Sequence, residues 1–440
     1  MSESKSLTLP QVKRMLKRNK KKEVCQTIDN CLVVLRNDPV LQDAIRQNIL
    51  TDRQDIVKDV GWLRSSTTIT DTDYQYIMHY LEHNYGLSVE KKIQAAVKII
   101  ANENQFHPIR DYLSALRWDG EERLPYALSK YLGAEPCAYT TEVLKVFMLG
   151  AISRVFQPGI KFDYMLCLAG GQGAGKSTFF RFLALKDEWF TDDLKHIDKD
   201  DVYLQMRGHW IIEMSEMLAT ANAKSIEEIK SFISRMKETY RTPYDKFPKD
   251  RLRQCVFGGT TNTLSFLPLD RTGNRRFLPV PLHREKAEIH LLANEPASRA
   301  YIEQLWAEVM DIYRSGNFSL DLSPEMEAEA ERLRREFMPE DPKAGMIQAF
   351  LDSYTGKHVC TQLLYKDALK NEFSKPKDWE LKEIGDIMNN SVTGWQKCKN
   401  QRYAEYGTQR SWCRIPKEEP TVEQLEFPVI EDADIPTEWD

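Results

Sequence analysis

The chain has no apolar run approaching the roughly 20 residues of a helical membrane span, so it does not read as a helical membrane protein. The opening MSESKSLTLPQVKRMLKRNKKK holds nothing like the apolar core of a signal peptide. The expectation is a cytoplasmic protein with no membrane partner. Eight cysteines, at 25, 31, 137, 167, 255, 360, 398 and 413, never form C-x-x-C. That spacing offers neither a zinc ribbon nor a redox dithiol, and reduced, partly buried thiols are expected. Only eight histidines occur; His79 and His83 share helical spacing, but a metal site there would need further ligands. No internal repeat points to a solenoid or propeller.

What remains is an ordinary globular composition, 42% hydrophobic and 29% charged over 440 residues, long enough for two or three domains. The net charge of −5 conceals an asymmetry. Residues 13–22 hold seven Lys or Arg, whereas the 23 residues after Lys417 hold nine Asp or Glu and no base. The basic segment suits nucleic acid or a solvated helix face, and the acidic tail suits disorder.

The pattern along the chain suggests five parts: a basic segment (1–23), a mostly helical domain (24–140), an α/β domain (141–340), a small domain (345–416) and the acidic tail (417–440). In the α/β part, YMLCLA, HWIIEM, QCVFGGTTN and RRFLPVPL read as strands alternating with helices, hence a mainly parallel sheet. Residues 345–416 read as three short helices and a hairpin around EYGTQ. That order suggests a winged-helix module, either binding DNA or only packing on its neighbour.

The first chemical motif is LAGGQGAGKSTFFRFLA, residues 168–184. Gly170, Gly175, Lys176 and Ser177 match G-x-x-x-x-G-K-[ST] between an apolar run and a helical pattern. Such a loop turns its backbone N–H groups onto a polyanion at a helix start, which predicts contacts from Gly171, Gly173, Ala174, Gly175, Lys176, Ser177 and Thr178. Lys176 would reach the β- and γ-phosphates of ATP and the Ser177 hydroxyl would ligate Mg²⁺. A glycine-rich turn with a chance Lys-Ser is the plainer alternative.

Three further stretches bear on what the nucleotide would be used for. In WIIEMSEM, Glu213 follows an apolar pair and is the first candidate for the Mg²⁺ shell, with Glu216 as a less direct assistant for the attacking water. Asn262 closes QCVFGGTTN, where its amide would bridge water and γ-phosphate. Arg275 and Arg276 follow a turn in DRTGNRRF, as an arginine finger supplied to a neighbouring subunit would, or as a structural salt bridge would. Between acid and Asn, residues 230–254 carry eight Lys or Arg with interleaved aromatics, a pattern suited to single-stranded nucleic acid. Lys230, Arg235, Tyr244 and Lys246 are its candidate DNA contacts; a surface loop of mixed charge is the alternative.

Taken together, GGQGAGKST, WIIEMSE, KSFISR…TYRTPY, FGGTTN and DRTGNRRF resemble the virulence-associated protein E family of phage and prophage ATPases, over about residues 165–280. FHPIRDYLSALRWDG, upstream, resembles the stretch before that family's core. The family is similar in its core to superfamily 3 helicases and poxvirus-type primase-helicases. The resemblance implies a P-loop NTPase core of AAA+ or superfamily 3 type, a helical N-terminal region and a winged-helix-like C-terminal domain. It also implies an oligomer, expected to be a hexameric ring, acting in mobile-element replication on single-stranded or forked DNA, with replication proteins as candidate partners. No primase acid cluster stands in the N-terminal part, so primer synthesis is not carried over. Two readings follow: an ATP-driven helicase or translocase, and a non-processive nucleotide-switched initiator or replication-interference protein. The arginine pair and Asn262 weigh against a small-molecule kinase.

Overall fold

Apolar spacing turns Ile28–Asn37, Asp71–Tyr85 and Glu90–Glu103 into helices that bury Val34, Leu35, Ile77, Leu81, Ile93 and Val97 in one core. Thr27 and Thr70 cap the first two by accepting from Asn30 and Asp73 N–H groups. The computed structural model describes residues 7–194, 197, 202–215, 223–241, 247–263, 265–267, 274–371 and 373–415. It divides into two compact units, 1–339 and 340–440.

The helical N-terminal part also holds a sheet that the residue pattern did not suggest. Strands β1 (Ile45–Asn48), β2 (Arg53–Ile56) and β3 (Gln105–Phe106) line up in the order β2-β1-β3. IRQN, RQDI and QF are short and polar, so alternation has little to act on. Pro108 stands at the start of the helix Pro108–Ala115 rather than interrupting one, where its missing N–H is harmless.

The main sheet is mixed α/β architecture: β4 (Met165–Ala169), β5 (Phe190–Thr191), β6 (Ile211–Ser215), β9 (Val256–Thr261) and β10 (Phe277–Pro281), all parallel, in the order β10-β4-β9-β6-β5. An antiparallel hairpin, β7 (Lys237–Tyr240) and β8 (Lys249–Leu252), lies between β6 and β9 in sequence.

Both faces of this sheet are covered, which is why its strands read as unbroken apolar runs. On β4, Leu166 and Leu168 point into a core shared with Phe147, Phe180 and Trp306, while Met165, Cys167 and Ala169 join Ile229, Phe232 and Phe257 on the other side. The helix Ala138–Phe156 is apolar on nearly every face because it is buried nearly all round. Gly258 on β9 lets the helix Lys176–Leu183 sit down on the sheet: a Cβ there would lie 2.4 Å from the Phe180 ring. Trp306 Nε1, on the helix Glu295–Ser315, donates to Leu183 O at 2.8 Å and pins the far end of the same helix.

In the second unit, the helix Pro342–Ser353 begins three residues ahead of the expected start of the small domain at 345, capped by Asp341. It is followed by β11 (His358–Cys360), a helical stretch at 361–368, the helix Asp378–Asn390, and β12 (Trp395–Tyr403) with β13 (Gly407–Arg414). The sheet order is β11-β13-β12, antiparallel, over a core of Ile347, Leu364, Ile384, Trp395 and Trp412. β11, three residues long, had no signal of its own. The middle helical stretch ends at 368, and Lys370 takes a positive φ of 56°. The acidic tail from 417 lies outside the described residues.

Candidate functional site

The loop between β4 and the helix Lys176–Leu183 turns on Gly173 and Gly175, at φ 77° and 84°, values that an L side chain rarely adopts. Lys176 is buried at 8% exposure. Its Nζ donates to Gly170 O at 2.7 Å, Gly171 O at 2.9 Å and Asn262 Oδ1 at 2.9 Å. Ser177 Oγ donates to Glu213 Oε1 at 2.7 Å, and Thr260 Oγ1 donates to the same oxygen. A cleft of about 490 Å³ runs along residues 172–178 and is closed by Ser215, Thr260, Thr261 and Asn262. Parallel pairing explains the convergence. Ala169 stands opposite Thr261 and Ser215 opposite Thr260, so the carboxyl ends of β4, β9 and β6 share one edge.

Glu213 is fully buried, and burial pushes its carboxyl above the usual carboxylate range, against the lowering effect of the Thr260 and Ser177 hydrogen bonds. Its second oxygen, Oε2, is buried with no hydrogen-bond partner among the described residues. A bare, buried carboxylate oxygen beside a hydroxyl is a donor set that fits a hard divalent cation. Thr260 went unnoticed in the sequence, although it stands inside FGGTTN, because nothing marks which β9 side chain faces β6.

Of the loop residues, Ala174 is buried, Gly175 and Thr178 are half-buried, Gly173 and Ser177 are exposed along the cleft, and Gly171 is exposed outside its lining. Glu216 lies outside the described residues. The arginine pair separates. Arg276 Nε donates to Ser234 Oγ at 2.8 Å and lies 3.5 Å from Asp163 Oδ2, so it is held within its own chain. Arg275 is exposed, and its side chain has no partner among the described residues. Sequence proximity could not part the two, because the holding groups come from 42 residues away and further.

The expected DNA contacts divide as well. Lys230 is corrected: it is buried at 2% exposure and paired with Glu227 at 3.0 Å, on the helix Ala223–Ile233 that covers the sheet. Arg235 is exposed and packs on Tyr203, whose ring stacks on Tyr240 at 5.6 Å. Tyr244 and Lys246 lie outside the described residues. The β7–β8 hairpin meets the N-terminal sheet: Asp52, between β1 and β2, accepts from Lys249 Nζ and Arg251 Nη2, both at 2.8 Å. Arg251 also lies over Tyr240 at 4.3 Å. A cavity of about 1080 Å³ opens beside this contact.

His79 and His83 stack at 6.0 Å, and the described residues contain no group of three metal-ligating side chains. No described helix is long and apolar enough to cross a membrane.

No curated protein matches the chain. Three apo structures of the NrS-1 C-terminal region, two of them in the A form, align with it at 13%, 12% and 11% identity and TM-scores of 0.44, 0.44 and 0.46. Each alignment covers 84% of this chain and 96% of that one. A family model describing a virulence-associated protein E-like domain matches residues 113–339, just over half of the chain and the whole of the loop, β6, β9 and β10. The chain therefore belongs to the virulence-associated protein E-like family.

Proposed function

We propose that the chain is an ATP-hydrolysing, oligomeric DNA motor of helicase or translocase type, serving replication of a phage or integrated mobile element. The observation that carries this reading is the meeting of Lys176, Ser177, Glu213 and Asn262 at one sheet edge. Lys176, held among three acceptors, would exchange its carbonyl partners for phosphate oxygens. Ser177 Oγ and the bare Glu213 Oε2 would hold Mg²⁺, which, when bound, neutralises charge on the transferring phosphoryl group. Glu213, in its ionised form, takes up or orients the proton of the attacking water. Asn262 Oδ1 fixes that water once Lys176 turns to phosphate.

Arg275, exposed and with no side-chain partner among the described residues, suits a finger acting on a neighbouring subunit's site; Arg276 does not, being held by Ser234 and Asp163. The β7–β8 hairpin, with Arg235, Lys249 and Arg251 around Tyr203 and Tyr240, supports a single-strand contact.

A nucleotide-switched DNA-binding initiator is the second reading. The second unit favours it, since its helix–strand–helix–helix–strand–strand order suits a winged helix. The helix Asp378–Asn390 carries Asp378, Glu380, Glu383 and Asp386 against one Lys382, whereas the β12–β13 hairpin exposes Lys397, Lys399, Arg402 and Arg410. Such a module would touch phosphates through the hairpin. Single-stranded DNA separates the two readings: it should raise steady-state ATP turnover of a motor and leave that of a switch unchanged.

A further inference from the structure

The segment after β10 is strapped across the outside of the glycine-rich loop. Leu282 N–H donates to Ala169 O at 2.8 Å, and Gly170 lies so close that a Cβ on it would stand 2.8 Å from Leu282 Cβ. His283 N–H donates to Gly133 O at 3.3 Å, and the N–H groups of Glu288 and Ile289 both donate to Lys130 O, at 3.0 and 3.2 Å. Leu291 is buried in the main core. Between these anchors a short 3₁₀ turn, Arg284–Lys286, presents Arg284 to the loop. Arg284 Nη1 lies 3.0 Å from where a Cβ on Gly173 would stand.

Arg284 is exposed, and its side chain makes no hydrogen bond, ion pair or ring contact with any described residue. The acid next to it, Glu285, lies 3.6 Å from His283 instead. The guanidinium stands at the Gly173 turn of the loop that leads into the helix Lys176–Leu183, whose starting N–H groups carry positive partial charge. A permanently charged fork of donors beside such a loop is stabilised by an anion that both can share.

We propose that Arg284 is a nucleotide-binding residue acting in cis, donating to the phosphates of a nucleotide seated in its own subunit's loop. This rests on the reading of residues 170–178 as a phosphate loop. It gives the site two arginines of different kinds: Arg284 for binding within the subunit and Arg275 for turnover across an interface.

The test is calorimetric binding of Mg·ADP and of inorganic tripolyphosphate to the full chain, its Arg284→Ala and Arg284→Lys variants, and Lys176→Ala. Arg284→Ala should weaken both ligands by about tenfold to a hundredfold, the loss of a charge-assisted hydrogen bond, and Arg284→Lys should recover part. The melting temperature of Arg284→Ala without ligand should equal the parent's, because the side chain makes no hydrogen bond or ion pair with any described residue. Mixing with Lys176→Ala should restore no affinity to Arg284→Ala subunits. Unchanged affinity for both ligands overturns the proposal while leaving the loop reading intact. Loss for ADP with none for tripolyphosphate also overturns it, by placing the contact on the nucleoside. A parent that binds neither ligand, or a Lys176→Ala protein that binds as the parent does, overturns the loop reading and the role of Arg284 with it.

Discussion

Ser177 Oγ donates to Glu213 Oε1 at 2.7 Å, joining the helix after β4 to the middle of β6 across the intervening β9. Thr260 of β9 donates to the same oxygen, so two hydroxyls serve Oε1 and none serves Oε2. The carboxylate is thus held in place with one oxygen in reserve.

Glu213→Gln tests that arrangement. Burial raises the Glu213 carboxyl above the usual carboxylate range. Its contribution to stability is therefore full below the unfolded carboxylate range and lost as pH rises through the raised folded value. Near pH 8, without divalent cations, Glu213→Gln should melt above the parent, and the gap should close as the buffer is taken below the unfolded carboxylate range. ATP turnover should fall by about 10²–10⁴-fold while nucleotide still binds. A variant that melts no higher at pH 8 would mean that the buried charge is already compensated.

Lys176 and Asn262 should separate binding from turnover. Lys176→Ala removes the group that joins Gly170 O, Gly171 O and Asn262 Oδ1, and should leave a folded chain with almost no ATP hydrolysis. Asn262→Ala should keep nucleotide affinity within a few-fold and still lose turnover. Steady-state kinetics with parallel equilibrium binding distinguish the two; wild-type turnover in Lys176→Ala would end its assignment.

The arginine pair should split by measurement type. Arg276→Ala loses its contacts to Ser234 and Asp163 and should lower stability, by about 1 kcal/mol or less, since the pair is partly exposed. Arg275→Ala should melt as the parent does and hydrolyse ATP more slowly, by anything up to about 10³–10⁵-fold. Mixed with Lys176→Ala, it should regain part of the activity. If labelled subunits exchange freely and the mixture stays as inactive as its parents, Arg275 is not a trans finger.

Asp52 should restrain the hairpin. Burial pushes its carboxyl up, but the hydrogen bonds and charges of Lys249 and Arg251 outweigh that and hold it below the usual range. The stability this gives is present at neutral pH and lost as pH falls through the depressed folded value. Asp52→Ala should lower the melting temperature at pH 7 and remove the carboxylate that neutralises Lys249 and Arg251. The salt dependence of single-strand binding, read by fluorescence anisotropy, should then steepen by up to about two phosphate contacts. Lys230→Ala, a buried site, should leave that slope alone; a change there and none in Asp52→Ala would reverse the placement of the DNA contact.

By itself the sequence determined the elements whose pattern is dense. Four apolar runs became parallel strands because a sheet covered on both faces has no polar side to interrupt them. The loop and its helix were legible because Gly170, Gly175, Lys176 and Ser177 act through backbone geometry and spacing within eight residues. Short polar strands carried no such signal: β1, β2, β3 and β11 exist because neighbouring segments supply their hydrogen-bond partners.

Tertiary structure alone decided which polar side chains meet. Thr260 serves Glu213 because parallel register sets it opposite Ser215. Arg276 is taken out of service by Asp163 and Ser234, while its neighbour Arg275 is left exposed. Lys230 is turned inward by the helix that covers the sheet, and Arg284 is brought over Gly173 by a strap anchored on Lys130 and Gly133. Local spacing places a residue on its own helix or strand; a charge's partner is chosen by whichever distant segment packs beside it, and that choice belongs to the folded chain.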